Sequence, residues 1–349
     1  FGLEQIYRLQ IEGQWSTKGD VWLSPSPFIA AHPFGYFGGG TPGPKSTVDR
    51  IDYSNDTADA SPKGPLSATR YALAATGNQN FGYFGGGNSP QESKIDRVDY
   101  SNDTANTSPK GPLSLARYQL AATGNSSFGY FGGGGNPGST PYYSTVDRID
   151  YSNDTVEAPA KTKLILARTA FAATGNASFG YFGGGYTGSY RSTVDRIDYS
   201  NDTATASPKG PLSASKGYLG ATGNADFGYF GAGYTGSDNG VIDRIDYSND
   251  TADASPKGSI SPAVRGLSAT GNQNFGYFGG GHPEESAVNR IDYSNDTATA
   301  ATKGPLSAAR KYLAASSSQA NGITNPTFFP APTVRENVAP QGTDFGYFG

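Results

Sequence analysis

Phe34-Gly35-Tyr36-Phe37-Gly38-Gly39-Gly40 decides the fold, because it does not occur once. It returns at Phe81, Phe128, Phe179, Phe227 (with Ala232 as the middle residue of the triplet), Phe275 and, shortened, at Phe345. The starts lie 47, 47, 51, 48, 48 and 70 residues apart, the period of one supersecondary unit repeated around an axis. Read as a strand, Phe81 and Tyr83 point to one face while Gly82 and Phe84 point to the other. Glycine beside the aromatics then lets a neighbouring unit approach closely.

Working outward from the motif, each period holds three more short segments. Ser46 to Tyr53 (STVDRIDY) alternates and is β-branched, and Ser54-Asn55-Asp56-Thr57 is a turn whose side chains bond their own backbone. Ser61 to Leu66 (SPKGPL) carries Pro62 and Pro65, tolerable on a sheet edge. Tyr71 to Thr76 (YALAAT) is small enough for a crowded central position, and Gly77 to Asn80 turns the chain into the next FGYF strand. Four antiparallel strands, the edge marked by proline and the innermost by alanine, describe a propeller blade.

Composition agrees. Among 349 residues, 49 glycines, 23 prolines and 13% aromatics suit a turn-rich all-β chain. The repeat covers nearly all of 1–349, which predicts one closed domain rather than two. A net charge of -4, spread over alternating Asp and Arg, offers nucleic acid no footprint, and no apolar run reaches the ~18–20 residues that predict membrane insertion. Cysteine is absent, so disulfides, thiolate chemistry and Cys-ligated zinc are excluded. A chain that starts at Phe1 without Met is expected to be a processed product or a piece.

The Arg-led, Ala-rich strand, the second strand ending in Gly-Gly and the third carrying Tyr before a turn resemble the kelch repeat. Ser67 to Gly87 and Val48 to Thr57 carry the likeness, and it recurs in six units. Kelch repeats place Trp after that Tyr, whereas the corresponding position near Ala60 is small. The wording YSNDT, KGPLS, AATGN and FGYFGGG also resembles repeats of virion and tail-appendage proteins of marine bacteriophages, which implies a particle-borne, extracellular, non-enzymatic protein.

The ends set the expected blade count. Phe1 to Ile11 aligns with the third strand, Lys311 to Ser316 reads as an innermost strand and Asp344 to Gly349 as a second. The expectation is a seven-bladed kelch-like propeller: six continuous repeats plus one composite blade in which N- and C-terminal strands close the ring. Residues 317–343, with Phe328-Phe329 at their centre, read as a loop inserted in that last blade.

Candidate chemistry is sparse. The strand Asp49 to Tyr53 (DRIDY) and its copies at Asp96, Asp147, Asp195 and Asp243, with Asn289 at the last, form a repeated set of carboxylates. Catalytic acid and base need unlike environments, so pseudo-symmetric repetition favours structure, with Arg50 and Asp52 expected to pair within or between blades. The SNDT turns lack the alternating carboxylates and terminal Glu of a calcium loop, and the triple glycines lack the Lys-Ser/Thr of a phosphate cradle. His32 and His282 are not in a metal-ligand spacing, and a Cys-free chain cannot form a Cys-linked Tyr for copper. No metal, cofactor or catalytic residue is expected.

What varies between units is the loop after each glycine triplet. Tyr142, Tyr143, Tyr186, Tyr190 and Tyr234 fall in the corresponding loops of three consecutive units and should form one arc, flanked by Arg191 and Asp238. Such rings suit the apolar face of a sugar. The expected role is therefore a structural or adhesive module whose partners are a host surface glycan or protein, or other virion or appendage subunits. A secreted or surface bacterial protein making protein contacts is the second expectation, a surface-glycan hydrolase the third.

Overall fold

A computed structural model of the chain describes residues 33–136 and 139–319. Within them the repeat becomes six four-stranded antiparallel sheets. In blade 2 the order from the axis outward is Ala74–Gly77, Phe81–Gly85, Ile95–Asp99 and Ser108–Lys110, and blades 3 to 6 follow the same chain order with FGYF strands starting at Phe128, Phe179, Phe227 and Phe275. Blade 1 is composite: Ala314–Ser317 from the far end of the described chain pairs with Phe34–Gly38, which continues into Val48–Asp52 and Ser61–Lys63. Pro62 sits on the edge strand opposite Asp49, where its missing N–H costs nothing.

The core lies between blades, not within them. Tyr36, Val48 and Leu66 of blade 1 pack with Phe84, Val98 and Tyr100 of blade 2 in one cluster. Glycine permits this approach: a Cβ on Gly38 would stand 2.8 Å from the Phe84 ring of the next blade. Each interface repeats one polar clip. Tyr36 donates to Asp103 of the next blade's SNDT turn at 3.0 Å, Arg50 reaches the same carboxylate at 2.8 Å and Lys63 at 3.7 Å. The Tyr36 ring stacks on Tyr100 at 4.8 Å, and the Arg50 guanidinium lies 4.0 Å over Phe34.

The clip settles the number of blades. Between blades 6 and 1, Tyr277, Arg290 and Lys303 converge on Asp56 while Tyr277 stacks on Tyr53; the tyrosine stack and the Tyr and Arg contacts recur at the other interfaces, the lysine at all but that of blades 3 and 4. Six blades therefore close on themselves and the interval that a seventh would occupy does not exist. Ring closure by strands from both ends is as expected; the count of seven is not. The inner strand ending the described chain takes the first FGYF strand as its neighbour. The remaining parts of the expected composite blade, Phe1 to Ile11 and Asp344 to Gly349, and the inserted loop beyond Gln319 lie outside the described residues.

The DRIDY residues are structural, but differently paired than expected. Arg50 takes Asp103, while Asp52 accepts from the backbone and hydroxyl of Ser54. The first Asp of each strand is fully buried beside a buried cation: Arg70 with Asp96 (2.9 Å), Arg117 with Asp147 (3.0 Å), Arg168 with Asp195 (3.3 Å), Lys216 with Asp243 (3.1 Å) and Arg310 with Asp49 (2.6 Å). In blade 6 both charges are gone together: Val264 stands at the cation's position and Asn289 at the carboxylate's. Removing one member of a buried pair strands the other, whereas removing both does not.

The chain thus supplies its own double-mutant comparison. Arg117→Val should cost about 3–5 kcal/mol by leaving Asp147 buried and unpaired, and adding Asp147→Asn should recover most of it. Urea denaturation of the three variants reads the coupling; additive losses would show that the pair is not a unit.

The turn carboxylates carry a pH signature. Burial alone would raise the Asp56 and Asp250 carboxyls, but Lys303 with Tyr277 and Arg290, and Lys209 with Tyr181 and Arg196, hold them below the usual carboxylate range. A depressed folded-state pKa contributes stability that is present above the unfolded value of about 3.9 and lost as pH falls through the folded value. Denaturant stability should therefore decline below about pH 4, and Asp250→Asn should be less stable at neutral pH with a shallower acid decline than the parent. Parallel acid profiles for the two proteins would remove Asp250 from this role.

Candidate functional site

Each inner strand is preceded by a residue that pairs with the loop following the glycine triplet. Tyr71, Tyr118, Thr169, Gly217, Arg265 and Lys311 bridge to Asn88, Gly135, Tyr186, Tyr234, His282 and Thr41. The variable loops are thereby drawn to one end of the axial channel. The next residue in each segment, Ala72, Gln119, Ala170, Tyr218, Gly266 or Tyr312, is left-handed, with φ from 51° to 68°. Each donates its N–H to the carbonyl of its counterpart in the preceding blade at 2.6 to 3.0 Å, Ala72 donating to Tyr312, so that six hydrogen bonds run head to tail around the mouth.

Only Gly266 is at home in that conformation. A bulky residue there is an outlier that its surroundings must impose. Tyr218 and Tyr312 are such residues, and their half-buried rings meet at 5.9 Å across the mouth. Gly266 makes room: a Cβ there would lie 2.8 Å from the Tyr312 ring. Below the mouth a cavity of about 110 Å³ follows the axis, with Ala75, Ala122, Ala173, Ala221, Ala269 and Ala315 in its wall.

Of the seven residues expected in the site, four form a continuous aromatic row. Tyr142 meets Tyr186 at 6.2 Å, Tyr186 meets Tyr190 at 5.3 Å and Tyr190 meets Tyr234 at 5.5 Å, at interplanar angles of 76°, 58° and 68°. Such edge-to-face packing is what ring quadrupoles prefer. Asp238 closes the row by an ion pair to Arg265 at 2.8 Å, and the Arg265 guanidinium lies 4.5 Å over the Tyr234 ring. Burial raises the Tyr190 and Tyr218 hydroxyl pKa values; Tyr218 and Tyr234 raise Tyr190 further, and Tyr312, Tyr142 and Tyr186 act likewise on Tyr218. These phenols stay neutral, able both to donate and to accept.

Two expected members stand apart. Tyr143 turns away and accepts from Asn136 Nδ2 at 3.1 Å, because consecutive residues of an extended segment face opposite ways. Arg191 is exposed and its Nε donates to Thr187 Oγ1 of its own hairpin at 2.7 Å. Sequence reading missed Tyr218, Arg265 and Tyr312. The signal was there: the pair before each inner strand reads YA, YQ, TA, GY, RG and KY where the rest of the strand hardly changes.

No family model and no curated protein matches the sequence. Among solved structures, that of YjhT superposes with a TM-score of 0.61 over 72% of this chain and 88% of that chain, at 11% identity. The fold the two share is a β-propeller. At that identity the likeness speaks to fold alone.

The left-handed ring is testable by glycine. Ala170→Gly should be neutral or stabilising by up to about 1 kcal/mol, since it relieves a positive φ, whereas Ala173→Gly in the adjoining strand should cost about 0.5–1 kcal/mol. Equal losses at both positions, measured by urea denaturation, would contradict the ring.

Proposed function

We propose that this chain is a non-enzymatic adhesive module that binds a surface glycan at the tyrosine-rich mouth of its channel. The observation that carries this reading is the row Tyr142, Tyr186, Tyr190 and Tyr234, joined by Tyr218 and Tyr312 around one opening. Aromatic faces take the C–H surface of a pyranose, and the neutral phenols and Gln119 supply hydrogen bonds for its hydroxyls. Two carboxylates of the mouth loops are held by cations, Asp238 by Arg265 and Glu284 by Lys311, which favours binding over acid and base work at these positions. The likeness of the repeats to those of phage tail appendages favours an extracellular, particle-borne setting in which the glycan belongs to a host envelope.

Tyr186→Ala combined with Tyr234→Ala should weaken attachment to envelope polysaccharide by at least about tenfold, roughly 1.4 kcal/mol, with little change in melting temperature. Tyr143→Ala and Arg191→Ala should stay close to the parent. A folded double variant that attaches like the parent would overturn the reading. Loss of particle assembly without any detectable glycan binding would make the same surface a subunit interface instead.

A further inference from the structure

Resting on the glycan reading above, we infer that the glycan is a neutral one, and that Asp238 sets this preference by occupying Arg265. Arg265 is the cation the fold places within the aromatic row, and it is engaged on three sides. Asp238 Oδ1 takes its Nη1 at 2.8 Å, the Tyr234 ring lies beneath it at 4.5 Å, and it donates to the Tyr312 hydroxyl of the adjoining blade. Both charged side chains of the pair are about three-quarters buried, Arg265 at 25% and Asp238 at 27% exposure. A carboxylate on a ligand would have to displace Asp238 from a partly desolvated pair and leave it uncompensated beside the ligand's own negative charge.

The second cation at the mouth is neutralised in the same way. Lys311 pairs with Glu284 at 2.8 Å. Arg191, next to Tyr190 in sequence, is exposed and turned onto Thr187, where salt screens it. The row therefore presents ring faces, phenol hydroxyls and a compensated ion pair. That surface suits hexose hydroxyls, which can donate to Asp238 and accept from Arg265 without changing net charge. It rejects uronic acids and other anionic sugars by leaving charges unpaired, the stronger form of discrimination.

The homologous turn in the neighbouring blade shows that Asp238 is not required by the backbone. Tyr186-Thr187-Gly188-Ser189-Tyr190 and Tyr234-Thr235-Gly236-Ser237-Asp238 form the same hairpin, each closed by a bridge between its first and fifth residues. The fifth position is Tyr in one and Asp in the other. Asp appears where the opposing residue is Arg265; opposite the Tyr190 hairpin the equivalent position is Gly217, against which the Tyr190 ring packs.

The test uses the full chain, titrated calorimetrically with neutral β-glucan oligosaccharides and with polyuronate oligosaccharides of equal length. Both are measured at about 50 mM and about 500 mM salt, over which the screening length shrinks several-fold. The parent should bind the neutral series with nearly salt-independent affinity and the polyuronate at least about tenfold more weakly. Asp238→Asn, which frees Arg265, should raise polyuronate affinity by about tenfold at low salt and lose that gain at high salt. The charge-free double variant Asp238→Asn with Arg265→Gln should return to discriminating against polyuronate, and it serves if the single variant does not fold. Preference of the parent for polyuronate, falling with salt, overturns the inference and leaves the glycan reading standing. A folded parent that binds neither series overturns both.

Discussion

Each blade of this protein is electrostatically incomplete without the next. Its tyrosine and arginine, joined by a lysine in every blade but the third, converge on a carboxylate that its neighbour carries in the SNDT turn, and its own turn carboxylate serves the blade before it. Around this exchange the rest follows. The tyrosines must stack across the interface for their hydroxyls to reach, the FGYF strand must carry glycine for the rings to come close, and the last blade must meet the first or leave three donors and a carboxylate unmatched. The number of blades is therefore a chemical property of the interface as much as a geometric one. A linear repeat array needs special terminal units, and a ring in which every clip is filled does not.

Much of the scaffold could be read from residues. Proline in SPK marked the edge, alanine in AAT the axis, and repetition itself argued that the DRIDY carboxylates were structural. What misled was the ends. Gly77, Gly124, Gly175, Gly223 and Gly271 close inner strands because a tight hairpin follows; a Cβ on Gly77 would stand 2.4 Å from the Phe81 carbonyl. In the last inner strand that position is Ser317, since no hairpin leads from it to its neighbour. Ser316-Ser317 in place of Thr-Gly was thus a written sign that this strand closes the ring onto Phe34. It was outweighed by the seventh FGYF copy at Phe345, which resembles a strand but lies outside the described residues.

The site was legible where it is made of loops and obscure where it is made of backbone conformation. Tyr142, Tyr186, Tyr190 and Tyr234 sit at corresponding places in variable loops, and repeat alignment brings them together. Tyr143 and Arg191 were included by adjacency, yet alternation and a local hydrogen bond send them elsewhere. Tyr218 and Tyr312 belong to segments that read as uniform inner strands. Nothing in a residue's identity announces a left-handed tyrosine; that is imposed by the hydrogen-bonded ring at the mouth, which forms only when all six blades are present.

Closure by the last described strand has a consequence for synthesis. Phe34–Gly38 precedes its inner partner Ala314–Ser317 by about 280 residues, on the order of tens of seconds of synthesis at about 5–20 residues per second. During that interval the first FGYF strand has an open edge in the presence of five near-identical inner strands, each able to pair with it in a plausible register. Neighbouring nascent chains carry the same strands. High-level expression from crowded ribosomes is then the condition under which exchanged rings and domain-swapped oligomers should accumulate, and slowing initiation rather than elongation is what should relieve them.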